Sequence, residues 1–168
     1  MKRIAAAAAI VAAIALGASA QSTSKPNRVY PDAKVALILP DDTETSVDSG
    51  TWMAISESTG TSVMFEKYDD TFSPGEINRS VIAKAAAAYG VKGFKFVALG
   101  NPRGLAFGYG KGKYTSEDGT TMDGFFGLLD NTAMKDRTFF FGFLVPSLDD
   151  PDIYDGIKAA VDDMAVAK

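Results

Sequence analysis

Residues 104–119 read GLAFGYGKGKYTSEDG, and the architecture of the chain turns on whether this glycine-rich, lysine-bearing run is a phosphate-binding loop or a strand. A phosphate loop needs Gly-x-x-x-x-Gly-Lys-Ser/Thr between a strand and a helix, because its backbone N–H groups wrap the phosphates while the helix N-terminus faces them. Counting back from Gly110 and Gly112, the glycines that precede Lys111 and Lys113, puts Leu105 and Phe107 where the first glycine is required. The spacing fails, no helical pattern follows, and no Gly-x-Gly-x-x-Gly sits in a strand-helix-strand unit. As a strand, the run separates by parity: Leu105, Phe107, Tyr109, Lys111 and Lys113 share one face, and Ala106, Gly108, Gly110, Gly112 and Tyr114 share the other. The second face is nearly bare backbone, which predicts something large packed against it. If the turn closes with two loop residues, Asp118 and Gly119, Gly112 faces Phe125. With four, Ser116–Gly119, Gly110 faces it. Either register sets an aromatic ring over a strand glycine.

Strand-like runs flank this one on both sides. FKFVAL (94–99), TTMDGFFGLL (120–129) and RTFFFGFLV (137–145) are joined to it and to each other by short turn-rich segments, which predicts an antiparallel meander. The last run is apolar at every parity, Phe139, Phe141, Phe143 and Val145 on one side and Phe140, Gly142 and Leu144 on the other. Such a strand belongs in mid-sheet with cover on both faces. Upstream, VALIL (35–39) reads as a buried strand stopped by Pro40, DDTETSVDSG (41–50) as an acidic loop, and TWMAISES with SVMFEKYD as a hairpin about Ser58-Thr59-Gly60.

Two helices complete the pattern. The first has Ser73 as N-cap, Pro74 at the first helical position, Glu76 closing a capping box and Gly90 as its stop, with Ile77, Val81, Ala85 and Ala88 on the buried face. The second has Asp150 as N-cap and Pro151 after it, with Ile153, Ile157, Ala160, Val161 and Met164 as its stripe. The expected fold is α+β: an antiparallel sheet of about six or seven strands flanked by two helices, in the order βββαββββα, as a single domain over residues 35–168.

The chain opens MKRIAAAAAIVAAIALGASAQS, with Lys2 and Arg3 ahead of an apolar run and Ala18-Ser19-Ala20 as a small-x-small cleavage motif. Residues 1–20 therefore read as a secretory signal peptide, and the apolar run is shorter than the roughly 20 residues that span a bilayer. A periplasmic or secreted protein is expected, beginning near Gln21 with a polar, extended lead-in over residues 21–34 and without a membrane span. Removing Lys2 and Arg3 leaves 15 Lys+Arg against 21 Asp+Glu, a net charge of −6. That balance disfavours nucleic acid and anionic lipid surfaces as partners.

Neither His nor Cys occurs in the chain. This removes Ser-His-Asp and Cys-His catalysis, the usual zinc sites and disulfides, and leaves carboxylate pairs or a Ser-Lys pair as routes to chemistry. No motif singles out two carboxylates, and a Gly-x-Ser-x-Gly elbow is absent. The acidic groups Asp41, Asp42, Glu44 and Asp48, and Glu117, Asp118 and Asp123, lack the alternating ligand spacing of a calcium loop, so no metal and no cofactor are expected. The candidate contacts for a ligand or partner are Arg103, Tyr109, Lys111 and Lys113 along the glycine-rich strand, where one face turns polar, and Trp52, the single tryptophan.

The element order, the leader and Ile38-Leu39-Pro40 ahead of a Trp-bearing strand resemble the Mog1/PsbP-like fold family of bacterial envelope proteins, which also takes in photosystem II extrinsic subunits and a Ran-binding nuclear protein. The resemblance spans residues 35–167 and implies an antiparallel sheet flanked by helices and a non-catalytic binding or assembly role; no functional residue carries across. The expected function is binding to an envelope protein partner. The alternatives are a carrier of a small apolar ligand and a carboxylate-dependent hydrolase.

Overall fold

The computed structural model describes residues 27–68, 76–100, 105–131, 134 and 138–166. In chain order these form β1 (Arg28–Tyr30), β2 (Val35–Leu37), β3 (Glu44–Asp48), β4 (Thr51–Ser56), β5 (Thr61–Lys67), α1 (Arg79–Ala88), β6 (Lys92–Gly100), β7 (Leu105–Thr115), β8 (Thr121–Asn131), β9 (Thr138–Val145), α2 (Pro151–Asp162) and β10 (Ala165–Val166). Seven strands make one antiparallel sheet in the order β3-β4-β5-β9-β8-β7-β6, and β1-β2-β10 make a small second sheet. The protein is thus α+β, and its large sheet together with the helices runs βββαββββα.

The central strands of the large sheet are covered on both faces. Against one face lies α1, whose Ile82, Ala85 and Ala86 join Met64, Phe126, Leu128, Phe140 and Leu144 in an apolar layer. Against the other lie α2 and the small sheet, with Tyr30, Val35, Leu37, Val161 and Met164 packed on Trp52, Phe65, Phe125, Phe141 and Phe143. The strand that is apolar at every parity, β9, sits between β5 and β8 with every residue buried. Its four phenylalanines are fully buried, and each contributes roughly 1.5–3 kcal/mol relative to an exposed side chain.

The glycine-rich run is β7, and α1 and β6 close over its bare face. A Cβ on Gly108 would collide with Ile82 Cδ1 and stand 2.5 Å from Leu99 Cδ2. At Gly110 it would run into the Phe94 ring and lie 2.5 Å from the Lys95 carbonyl oxygen. Glycine is therefore required by close approach, and the run is architecture rather than a phosphate cradle. Neither anticipated hairpin register is formed. Thr115 pairs with Thr121, so Lys111 faces Phe125 while Gly110 faces Phe126. The loop holds five residues, Ser116–Thr120, because Thr120 N–H donates to Asp118 Oδ1 at 3.1 Å, Ser116 N–H reaches the Thr120 carbonyl at 2.9 Å, and Gly119 takes φ +87°. An odd count moves every partner by one residue: Phe126 rather than Phe125 stands opposite Gly110, and the ring that lies over Gly110 is Phe94 of β6.

Further corrections concern the N-terminal half. Val35–Leu37 is not the first strand of the large sheet but the centre of the small one, between β1 and β10. The first strand is β3, inside the segment read as an acidic loop. Its Thr and Val favour extended backbone, and Ser49 (φ +50°) and Gly50 (φ +87°) form the tight turn into β4. The polar lead-in carries β1, and its Tyr30 is buried within 5.0 Å of Phe65 and 5.5 Å of Trp52.

In α1 the N-cap is Asn78, whose Oδ1 accepts from Ser80 N at 3.0 Å and Val81 N at 3.2 Å. Ser73 and Pro74 lie outside the described residues. Asparagine bonds the first orphan N–H groups as well as serine does. The buried stripe is accordingly Ile82, Ala85 and Ala86 with Tyr89 at the C-cap, while Ala88 is exposed; Gly90 ends the helix at φ +80°. In α2, Asp150 caps by accepting from Asp152 N at 2.9 Å, and Tyr154 replaces Ile153 on the packed face. Among the described residues no helix is long and apolar enough to cross a membrane.

Candidate functional site

Three of the sequence candidates meet where α2 crosses β7 and β8. Parity sends Tyr109, Lys111 and Lys113 to one face of β7, and the amphipathic stripe of α2 lies on that face. Tyr109 is buried, and its hydroxyl donates to Asp162 Oδ1 at 2.7 Å. Asp162 Oδ2 accepts from Lys158 Nζ, one helical turn earlier, at 2.5 Å. Lys111 Nζ stands 5.1 Å from the centre of the Tyr154 ring, a cation–π contact, and Tyr154 meets Phe125 at 5.3 Å between ring centres. Lys113 Nζ pairs with Asp123 Oδ1 at 2.9 Å, while Asp123 Oδ2 accepts from Leu148 N at 3.1 Å.

These contacts tie α2 and its lead-in to the sheet. Trp52 is not part of the cluster. It lies on β4, four strand positions from β7, or roughly 19 Å at the usual strand spacing, and packs on Tyr30 and Phe65. Arg103 lies outside the described residues.

The ionisation of the cluster follows from burial and pairing. Burial, then the bond to Asp162, pushes the Tyr109 phenol well above its ordinary value. Burial would raise Asp123, but the Lys113 ammonium and the Leu148 N–H hold it below the usual carboxylate range, and Asp123 in turn raises Lys113. Elsewhere burial raises Tyr89 and Tyr114, and hydrogen bonds lower Asp42, first from the Ser58 N–H, and Asp118, first from Ser116. Each of these shifts moves the group's pKa further from 7, whereas a general acid or base works best with a pKa near 7. Among the described residues no three acidic side chains gather as a metal-holding group. Asp42 instead ties down the Ser56–Ser58 turn, and Asp118 closes its own loop.

The free surface lies at the ends of the large sheet. All five residues of β3 are exposed, and Val47 is 70% exposed. At the opposite end β6 pairs only with β7 among the described residues, carries two bulges, and leaves Leu99 54% exposed. Parity reasoning did not reach β3, because a strand exposed on both faces has no alternation of apolar and polar residues. The signal available was the Thr-Ser-Val run followed by Ser-Gly at turn spacing.

No family model and no curated protein matches this chain. What defines it is therefore its own geometry: an α+β fold whose wide antiparallel sheet is covered on both faces at its centre and ends in two different edges.

Proposed function

We propose that this protein is a secreted or periplasmic, non-catalytic binding or assembly domain that engages a protein partner in the cell envelope. The observation that supports the reading is where the large exposed apolar side chains fall. Val29, Val47 and Leu99 sit on the outermost strands β1, β3 and β6, and Ile153 on α2. Apolar residues beside unpaired backbone are what strand-to-strand association between proteins uses. Tyr109, Lys113 and Asp123, the polar groups of the α2 cluster, are engaged in holding the fold together and leave the sheet edges as the free surface. The leader-like residues 1–20 support an envelope location, and we group the chain with the Mog1/PsbP-like proteins on its element order and its Ile38-Leu39-Pro40 run.

Native mass spectrometry of the protein purified gently from its own envelope fraction tests the reading. A protein-sized mass excess is expected. A small excess that leaves on denaturation would replace the proposal with a small-ligand carrier, and a bare monomer would count against both.

A further inference from the structure

The two edges of the large sheet are not equivalent, and the difference is chemical. In β6 one extra residue is inserted between Lys92 and Lys95 and another between Phe96 and Ala98. Such bulges are a usual means of blunting an edge against further pairing. The β3–β4 ladder is regular from end to end, Glu44 facing Ile55 through Asp48 facing Thr51. Its turn has two central residues, Ser49 and Gly50, both at positive φ. Residues flanking such a turn exchange both backbone hydrogen bonds, and bonded and non-bonded pairs alternate beyond it. Asp48, Ser46 and Glu44 therefore bond inward to β4, and Thr45 and Val47 turn their N–H and C=O groups outward. Among the described residues no strand takes them.

This edge is held in shape before anything binds. Asp42, two residues ahead of β3, accepts from Ser56 Oγ at 2.8 Å and Ser58 N at 3.0 Å, and Arg28 Nη2 donates to the Thr43 carbonyl at 2.6 Å. A preorganised strand loses little conformational freedom on binding.

The charges then select the occupant. An antiparallel pairing with a second copy that uses all four outward groups must be centred on Ser46, and it sets Glu44 opposite Asp48 twice. Like charges directly opposite oppose pairing. A strand with cations at those two positions is favoured instead.

We propose that β3 is a docking edge for an extended, cationic segment of a partner protein, added antiparallel with Lys or Arg opposite Glu44 and Asp48 and β-branched residues opposite Thr45 and Val47. This rests on the reading that the protein acts by binding a protein partner.

The probe is a nine-residue peptide with Lys-Val-Thr-Val-Lys at its centre, titrated into the full 15N-labelled protein. The expected result is saturable shifts of the Thr45 and Val47 amides, about tenfold weaker binding of the peptide with Glu in place of both Lys, and reversal of that preference in the Glu44→Lys/Asp48→Lys protein. Val47→Pro removes an outward N–H but no bond of the β3–β4 ladder, so it should abolish binding while leaving the rest of the spectrum in place. Equal binding of both peptides, shifts centred on another strand, or self-association that Val47→Pro removes would each overturn the proposal. A protein-sized partner found by native mass spectrometry and still retained by the Val47→Pro protein would leave the binding reading standing and remove β3 as its site.

Discussion

Replacing Gly110 by alanine tests the claim that the glycine-rich run is there for packing. The new Cβ would lie 2.5 Å from the Lys95 carbonyl oxygen and overlap the Phe94 ring. The carbonyl belongs to the ladder between β6 and β7, so relief requires the strands to move apart. Overpacking of this kind costs about 1–3 kcal/mol, and alanine regains roughly 0.4–1 kcal/mol by narrowing the unfolded ensemble. A net loss of about 1.5 kcal/mol is expected, or roughly 3–6 °C in Tm for a domain near this size. Gly108→Ala is the internal comparison, since there the nearest contacts are the side-chain ends of Ile82 and Leu99, and Leu99 is largely exposed and free to swing. The buried Ile82 must still shift, so a loss remains, smaller than that of Gly110→Ala because side-chain ends give way more readily than a backbone carbonyl. The assay is urea unfolding followed by the fluorescence of Trp52, the only tryptophan and a buried one. A Gly110→Ala protein as stable as the parent, or less affected than Gly108→Ala, would refute the packing argument and reopen a ligand role for the strand.

The remaining predictions follow from single contacts. Asn78→Ala removes the oxygen that caps α1 and should lower stability by about 1 kcal/mol in the same urea assay, with Asn78→Ser recovering most of it. Tyr109→Phe leaves Asp162 with Lys158 but deletes the bond from β7 to α2, and a loss of about 1–2 kcal/mol is expected by calorimetry. Alkaline pH should destabilise the fold. The Tyr89, Tyr109 and Tyr114 phenols are all raised above 10.0, so above pH 10 the unfolded chain loses protons that the folded chain keeps. Stability is then complete below about pH 10 and falls as pH rises, by up to about 1.4 kcal/mol per pH unit for each tyrosine. Melting between pH 8 and 11.5 checks this, and Tyr109→Phe should flatten the slope.

Local pattern alone determined much of this protein. The apolar run at every parity in β9 required a central strand covered on both sides. The Gly-Asn-Pro-Arg (100–103) and Ser-Glu-Asp-Gly (116–119) turns pointed to a meander, Gly90 and Asp150-Pro151 marked helix ends, and the parity of β7 put Tyr109, Lys111 and Lys113 on one face. Each of these is written within a few consecutive residues, where side-chain period and turn chemistry act directly on the backbone.

Tertiary structure decided the rest, and always where the signal is long-range or too short to repeat. The three residues of β2 find their partners only when β1 and the far C-terminal β10 come alongside, Val35 facing Val166. No periodicity exists in runs of that length. The hairpin register depended on one extra loop residue held by the Asp118 side chain. The cations of β7 are engaged by Asp123 and by the Tyr154 ring, and Tyr109 bonds to a carboxylate 53 residues away. A sequence can say which face a side chain takes, because that is geometry within one strand. It does not say what will lie against that face, because that depends on how two distant amphipathic surfaces share the water they exclude.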